Sequence, residues 1–203
     1  MTQFQADLPT LLQQQLDHHA PAPPSKVFAQ DESRVGLFPI VRRRITACGV
    51  QPIATVTHTF DYFYLYGAVE PTTGDSFFLE LPWLNTSAFQ LWVDHFAEAF
   101  PQSFNILVLD NGAFHKAKAL QWPSHIVPVF LPPYSPELNP IERLWRDVKD
   151  KLADGVARTL DELSTLTGHI LQSYSQTALQ SLTGYAYFVE AVTTAINKWI
   201  ITI

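Results

Sequence analysis

Cysteine, long apolar runs and, over one stretch, basic residues are scarce in this 203-residue chain. The single cysteine, Cys48, excludes an internal disulfide framework and a multi-cysteine zinc site, so a bound metal would need oxygen or imidazole ligands. No apolar run reaches the roughly 18 to 20 residues that cross a bilayer, and the opening MTQFQADLPT lacks the basic flank and apolar core of a secretion signal. We therefore expect a cytoplasmic protein without membrane contact.

Charged residues make up only 16% of the chain against 47% hydrophobic residues, which is enough apolar surface for one sizeable core. The net charge of −6 argues at first against a polyanionic partner. However, five of the thirteen basic residues lie between 26 and 44, six lie between 116 and 151, and none lies between 61 and 110. A protein with one basic face would show this asymmetry, but clustered surface charge without a partner explains it equally well.

The order of local patterns predicts an α/β layer architecture with a C-terminal helical extension. The run KVFAQDES predicts a strand with Asp31 near its end, and β-rich runs around a turn at 71–74 predict a hairpin or meander. A helical stripe predicts a helix from Asn85 to Phe100, and the apolar run 105–110 predicts a strand buried on both faces. The remaining predictions are a helical stretch at 116–121, a strand at 125–131, a helix at 140–153 and two helices between 159 and 199.

Three carboxylates stand out by position: Asp31 and Asp110 at predicted strand ends, and Glu142 in the first turn of a helix. Each also has a structural explanation, because Asp31 suits a surface turn, Asp110 begins the turn sequence DNG, and Glu142 could complete a capping box with Asn139. Strand ends and a helix start can instead gather three acids around a hard cation. Two Mg²⁺ or Mn²⁺ ions roughly 3.5 to 4 Å apart can then activate water and stabilise the leaving oxygen of a phosphodiester.

Each of these carboxylates lies in a longer motif. The motifs are DES at 31–33, LVLDNGAFHK at 107–116 and PPYSPELNPIERLWRDVK at 132–149. Together they resemble DDE-type insertion-sequence transposases of the mariner-related superfamily, over residues 27–155 and more weakly through the C-terminal helices. The spacings, 79 positions from Asp31 to Asp110 and 32 from Asp110 to Glu142, agree with that family's pattern.

The resemblance implies an RNase H-like mixed sheet flanked by helices, in which Asp31, Asp110 and Glu142 form a catalytic metal-binding triad for Mg²⁺ or Mn²⁺, expected as two ions. It implies a transposase catalytic domain that hydrolyses DNA phosphodiesters at transposon ends and transfers the strand to target DNA. An RNase H-like nuclease without strand transfer, and an inactive DNA-binding or oligomerising remnant, stay open as alternatives. The expected division is an N-terminal short helix and Pro-rich linker (1–25), the catalytic domain (26–155) and C-terminal helices packed on it (156–203).

Contacts with DNA phosphates are expected from side chains that flank the acidic motifs. These are Arg42, Arg43, Arg44, His115, Lys116 and Lys118. Full-length family members carry helix-turn-helix segments before the catalytic domain, and the 30 residues before Asp31 are too few for one. We therefore expect a catalytic part alone, from a split gene, a truncated copy or a deliberately shortened chain. Its expected partners are transposon-end and target DNA on the nucleoid, a second copy in a homodimer, and a separately encoded helix-turn-helix part.

Overall fold

A five-stranded mixed sheet organises the molecule. The structure, a computed structural model, describes residues 2–19, 24–37, 48–49, 61–155 and 157–202. The strands are β1 (Ser25–Gly36), β2 (Tyr62–Val69), β3 (Ser76–Leu81), β4 (Phe104–Leu109) and β5 (Ile126–Phe130). They lie in the order β3-β2-β1-β4-β5; β1 runs antiparallel to β2 and parallel to β4, β2 antiparallel to β3, and β4 parallel to β5. The predicted hairpin and the predicted buried strand are confirmed.

Helices surround the sheet. They are α1 (Gln3–His19), α2 (Thr86–Ala99), α3 (Ile141–Asp154), α4 (Leu160–Gln172), α5 (Gln176–Thr183) and α6 (Ala186–Thr202), with short 3₁₀ turns at Ala113–Lys116 and Pro136–Leu138. As predicted, α2 begins after Asn85, whose side chain accepts the N–H of Ala88. Among the described residues, no helix combines the length and the apolar character needed to cross a membrane.

Two helix predictions are wrong. The helical stretch expected at 116–121 is replaced by the 3₁₀ turn Ala113–Lys116, because the chain leaves that turn in an extended conformation at Ala117. The two helices expected after residue 159 are three, because Ser175 caps a new helix by accepting the N–H of Ala178.

The two faces of the sheet carry different cores, since side chains alternate between faces along each strand. Val27 and Ala29 of β1 lie on the face covered by α3, which also carries α1 and α6, and which we call the α3 face. Phe28 lies on the opposite face, covered by the aromatic side of α2, which we call the α2 face. Adjacent residues of one strand therefore belong to different core clusters and have different surroundings.

Strand β1 is longer than its sequence predicts. Asp31 lies in the middle of a 12-residue strand instead of at its end. The polar run after Asp31 stays extended because it pairs with β2 as far as Gly36, opposite Tyr62. The expectation of a loop after Asp31 is therefore wrong over residues 32–36.

Candidate active site

Asp31 lies on β1, and Asp110 directly follows the end of β4, the parallel strand beside β1. Ala29 of β1 is paired with Val108 of β4, two residues before Asp31 and Asp110. Ala29 and Val108 contribute to the core on the α3 face, so Asp31, two residues further along β1, belongs to the series that faces α3. β4 ends at Leu109, so Asp31 projects where its parallel neighbour stops and the Asp110 loop begins.

Glu142 comes to the same face from the start of α3. The loop before this helix is fastened to β1, because the Asn139 side-chain amide donates to the Gln30 carbonyl at 2.8 Å in a buried bond. The Asn139 side-chain oxygen still accepts the N–H of Ile141, the first residue of α3, at 3.4 Å. The predicted capping box is nevertheless incomplete, because within the described residues the Glu142 carboxylate makes no hydrogen bond. A capping hydrogen bond therefore does not explain why a glutamate stands at position 142.

Trp145, one turn along α3, contacts Asp31 directly. Its indole N–H donates to Asp31 Oδ2 at 3.0 Å. The ring lies over Gly67, which is paired with Asp31 across β1 and β2. A Cβ at Gly67 would fall well inside contact distance of the Trp145 ring and close to Phe78. The absence of a side chain at Gly67 is therefore what lets the indole reach Asp31 across the sheet.

The charges of Glu142 and Asp110 act on Asp31. Burial raises the pKa of Asp31 well above its ordinary value, and the negative charges of Glu32, Glu142 and Asp110 raise it further. Burial also raises the pKa of Glu142, against the opposing effect of Lys149 and Arg146. A divalent cation beside these carboxylates would favour their charged forms and so lower the raised pKa values of Asp31 and Glu142.

Asp110 has different surroundings, because its Oδ1 is already engaged. This oxygen lies 2.7 Å from Nδ1 of His115 and accepts the N–H of Gly112 at 2.8 Å. The hydrogen bond with His115 lowers the pKa of Asp110. The other ring nitrogen, His115 Nε2, lies 3.1 Å from Oε1 of Glu32, which faces α2. Burial alone would lower the pKa of His115, but the two carboxylates raise it to about 9.

The donor set suits a hard divalent cation in type. Asp31, Asp110 and Glu142 offer only carboxylate oxygens, the ligands that Mg²⁺ and Mn²⁺ prefer. Buried Asn111 Oδ1 lacks a partner within the described residues, while the Asn111 amide ties the Asp110 loop to the Leu131 carbonyl. Within the described part of the chain, no three His, Cys, Asp or Glu side chains lie close enough together to hold a metal ion. The three acids therefore fit the cation in the chemistry of their donor atoms, but within the described residues they do not come close enough together to form a complete site.

The residues expected to contact DNA differ in exposure, and some of them lie outside the described residues. Arg42, Arg43 and Arg44 lie outside the described residues. Lys116 and Lys118 are exposed on the segment after Asp110, and Lys116 Nζ lies 4.6 Å from the centre of the Phe130 ring. The His115 side chain is fully buried, with both ring nitrogens facing carboxylates, so the expectation that it contacts phosphate is not supported.

Sequence reasoning missed the roles of two residues at this site. Glu32 and Trp145 entered the sequence analysis only as parts of the motifs at 31–33 and 132–149, yet Glu32 bonds to His115 and Trp145 bonds to Asp31. A buried strand position occupied by glutamate was the available signal for Glu32, because such a side chain requires a partner.

The comparisons with known proteins agree with this architecture. The DDE superfamily endonuclease family matches residues 26–166. An uncharacterised protein, y4pE/y4sA of Sinorhizobium fredii (strain NBRC 101917 / NGR234), is 36% identical over 107 residues, which are 50% of this chain and 77% of that protein. A pre-cleavage Mos1 transpososome superimposes with a TM-score of 0.66 at 13% identity, covering 96% of this chain and 61% of that one. A mariner Mos1 paired-end complex with Mg gives a TM-score of 0.62 at 14% identity, covering 96% and 61%.

These matches confirm the RNase H-like fold that the sequence motifs implied, with a mixed sheet flanked by helices. The chain spans about 60% of the length of the Mos1 chains that it matches. The family match covers most of the chain and includes Asp31, Asp110 and Glu142. The chain therefore belongs to the DDE superfamily of endonucleases.

Proposed function

We propose that this chain is a transposase catalytic domain that hydrolyses DNA phosphodiesters at transposon ends with Mg²⁺ or Mn²⁺ and joins the freed 3′ ends to target DNA. One observation carries the proposal: Asp31 on the α3 face lies near enough to Asp110, which follows the end of β4, and to Glu142, in the first turn of α3, for the charges of both to raise its pKa. The similarity to mariner Mos1 paired-end complexes with Mg and with Mn supports the same cations here.

Asp31, Asp110 and Glu142 would hold the cations, which when bound polarise a phosphodiester and make a water molecule more acidic. The protein prepares this site in two ways. Trp145 holds one oxygen of Asp31, and burial of Asp31 strengthens its attraction for a cation. His115 and Gly112 hold Asp110 Oδ1, so that Oδ2, which has no bond within the described residues, can act as a ligand.

Contact with DNA is proposed from basic residues beside the acids. Lys116 and Lys118 lie on the segment that follows Asp110, and Arg42 to Arg44 are proposed to add phosphate contacts. Phosphate contacts position a duplex without selecting its sequence. We therefore expect binding that is weak, salt-sensitive and nearly independent of sequence, with a slope against log salt that flattens by roughly 0.9 for each phosphate contact removed. Lys118→Ala tests one contact, and Lys151→Ala, whose lysine already pairs with Asp147, is the matched control.

The test of the activity is cleavage of supercoiled plasmid by the full chain with Mg²⁺ or Mn²⁺, with labelled 3′-hydroxyl oligonucleotides added to detect joined products. We expect nicking that Asp110→Asn abolishes. Glu70→Gln is the control, because Glu70 is a buried glutamate whose carboxylate bonds, among the described residues, to its own turn alone, at Thr72 and Thr73. Nicking without joined products would favour the nuclease without strand transfer. Binding without nicking would favour the inactive remnant.

A further inference from the structure

The His115 ring lies between two carboxylates that come from different parts of the fold. Its Nδ1 lies 2.7 Å from Asp110 Oδ1, and its Nε2 lies 3.1 Å from Glu32 Oε1. The exposed fractions of the side chains are 0% for His115, 5% for Glu32 and 55% for Asp110. The chain of contacts therefore begins at a buried anchor and ends at a carboxylate that is open to solvent.

Both inner members of this chain are held in place. Phe89 and Phe114 pack against the imidazole, with ring centres 4.4 and 4.1 Å from it. The side-chain amide of Gln30 donates to the same Glu32 Oε1 at 2.8 Å. The ring and Glu32 are thus fixed by packing and by hydrogen bonds from two directions. Asp110 follows the last residue of β4, where the strand no longer restrains it.

We propose that Glu32 is a positioning residue: through His115 it fixes the Asp110 carboxylate, keeping Oδ1 engaged and Oδ2 directed to the candidate cation site. Carboxylate ligands in metal sites are commonly oriented by such hydrogen-bonded neighbours, and loss of a neighbour typically lowers metal affinity about 10- to 100-fold. The link to cation binding rests on the proposed function, whereas the orientation of His115 and Asp110 does not.

A simpler role for Glu32 is to add one negative charge near the cation. The two roles predict different results for two substitutions. Glutamine at position 32 keeps an oxygen acceptor for the His115 N–H but removes the charge, whereas alanine removes both. Positioning predicts that Glu32→Gln retains cation affinity within about threefold and that Glu32→Ala loses it about 10- to 100-fold. A charge effect predicts equal losses for both.

The experiment measures Mn²⁺ binding to the full chain without DNA, by calorimetry, for wild type, Glu32→Gln, Glu32→Ala and the Glu70→Gln control. Proton–nitrogen spectra of the histidine rings, assigned with a His115→Ala variant, supply a second readout that needs no cation. We expect two solvent-protected ring N–H signals for His115 in the wild type and in Glu32→Gln. In Glu32→Ala we expect both to be lost, including the one bonded to Asp110.

Equal Mn²⁺ affinity of folded Glu32→Ala and wild type would overturn the proposal, as would equal losses in Glu32→Gln and Glu32→Ala. Persistence of the protected Nδ1–H in Glu32→Ala would do the same. If Glu32→Ala does not fold, the wild-type and Glu32→Gln spectra and the Glu32→Gln affinity decide. If the wild type binds no Mn²⁺, the proposed function fails, and the ring signals alone then support or overturn the positioning by Glu32.

Discussion

Asp31 and Glu32 are adjacent residues of β1, but their carboxylates lie on opposite faces of the sheet and have opposite surroundings. Asp31 faces α3, accepts one N–H from the neutral Trp145 indole, and lies among other acids that raise its pKa. Glu32 faces α2 and bonds to His115, which two carboxylates hold in the charged form. Removing one partner of a buried ion pair leaves an uncompensated charge and destabilises the fold, whereas a carboxylate among like charges is repelled by them in the absence of a ligand.

The largest expected effect in this comparison comes from Asp31→Asn. Asparagine can still accept the Trp145 N–H, but it removes a buried charge that neighbouring acids oppose. We expect cleavage of supercoiled plasmid to disappear while the melting temperature stays the same or rises, because the like-charge repulsion is relieved. Calorimetry and the nicking assay measure the two effects on one preparation. A sharp fall in melting temperature would instead make Asp31 a structural residue and remove the contrast with Glu32.

Substitution of the adjacent residue, Glu32→Ala, should instead lower the free energy of unfolding. It leaves the buried imidazolium of His115 with one carboxylate in place of two, and breaking a buried pair by removing one partner costs about 3 to 5 kcal/mol. Urea unfolding at neutral pH measures the free energy of unfolding, with Asp31→Asn as the comparison. A cost for Glu32→Ala no larger than that for Asp31→Asn would show that the two faces do not differ in this way.

Sequence patterns predicted the parts of this contrast that depend on local order. The cap of α2 at Asn85, the buried strand β4 and the helix after Pro140 follow from spacings of a few residues. These features needed no knowledge of the fold. The contact between Asp110 and His115 spans only five positions within one motif, but it was not predicted, because His115 was expected to contact phosphate.

The other half of the contrast depends on contacts between distant parts of the chain. Glu32 and His115 are 83 positions apart, and Trp145 and Asp31 are 114 apart, so no local pattern pairs them. The polar sequence after Asp31 favours a turn, and only pairing with β2 keeps it extended. The bond from the Asn139 amide to the Gln30 carbonyl, 109 positions away, was likewise beyond any local pattern. Tertiary contacts overrode local preference at these positions.

A smaller effect is expected from a comparison of two buried tryptophans, Trp145 on the α3 face and Trp92 on the α2 face. Trp145 donates to Asp31, whereas Trp92 Nε1 on the α2 face has no partner within the described residues. Trp145→Phe should lower Mn²⁺ affinity and cleavage about tenfold, because it removes the group that orients Asp31. Trp92→Phe should cost a similar amount of packing and leave both measurements unchanged. Equal losses of activity in the two variants would mean that Trp145 contributes packing to the core and does not orient Asp31.

The smallest effect concerns a third carboxylate, which is paired with a cation as Glu32 is but is partly open to water. Asp75 Oδ2 lies 2.6 Å from Nζ of Lys26, at the start of β1, with the side chains 23% and 26% exposed. Burial alone would raise the pKa of Asp75, but bonds from Lys26, Thr73 and Gln176 hold it below its ordinary value of 3.8. A carboxylate with a lowered pKa adds stability above the unfolded-state value, and this stability is lost as the pH falls through the lowered pKa.

Asp75→Asn should therefore lower the free energy of unfolding at pH 6 by about 1 kcal/mol or less, since pairs near the surface are screened. The difference from wild type should vanish at a pH below the lowered pKa of Asp75, and it should shrink in high salt. Urea unfolding of both proteins at several pH values measures this difference. A difference that persists unchanged in acid would assign the effect to packing and not to charge. A loss as large as that of Glu32→Ala would show that burial is not what separates the two cation-paired carboxylates.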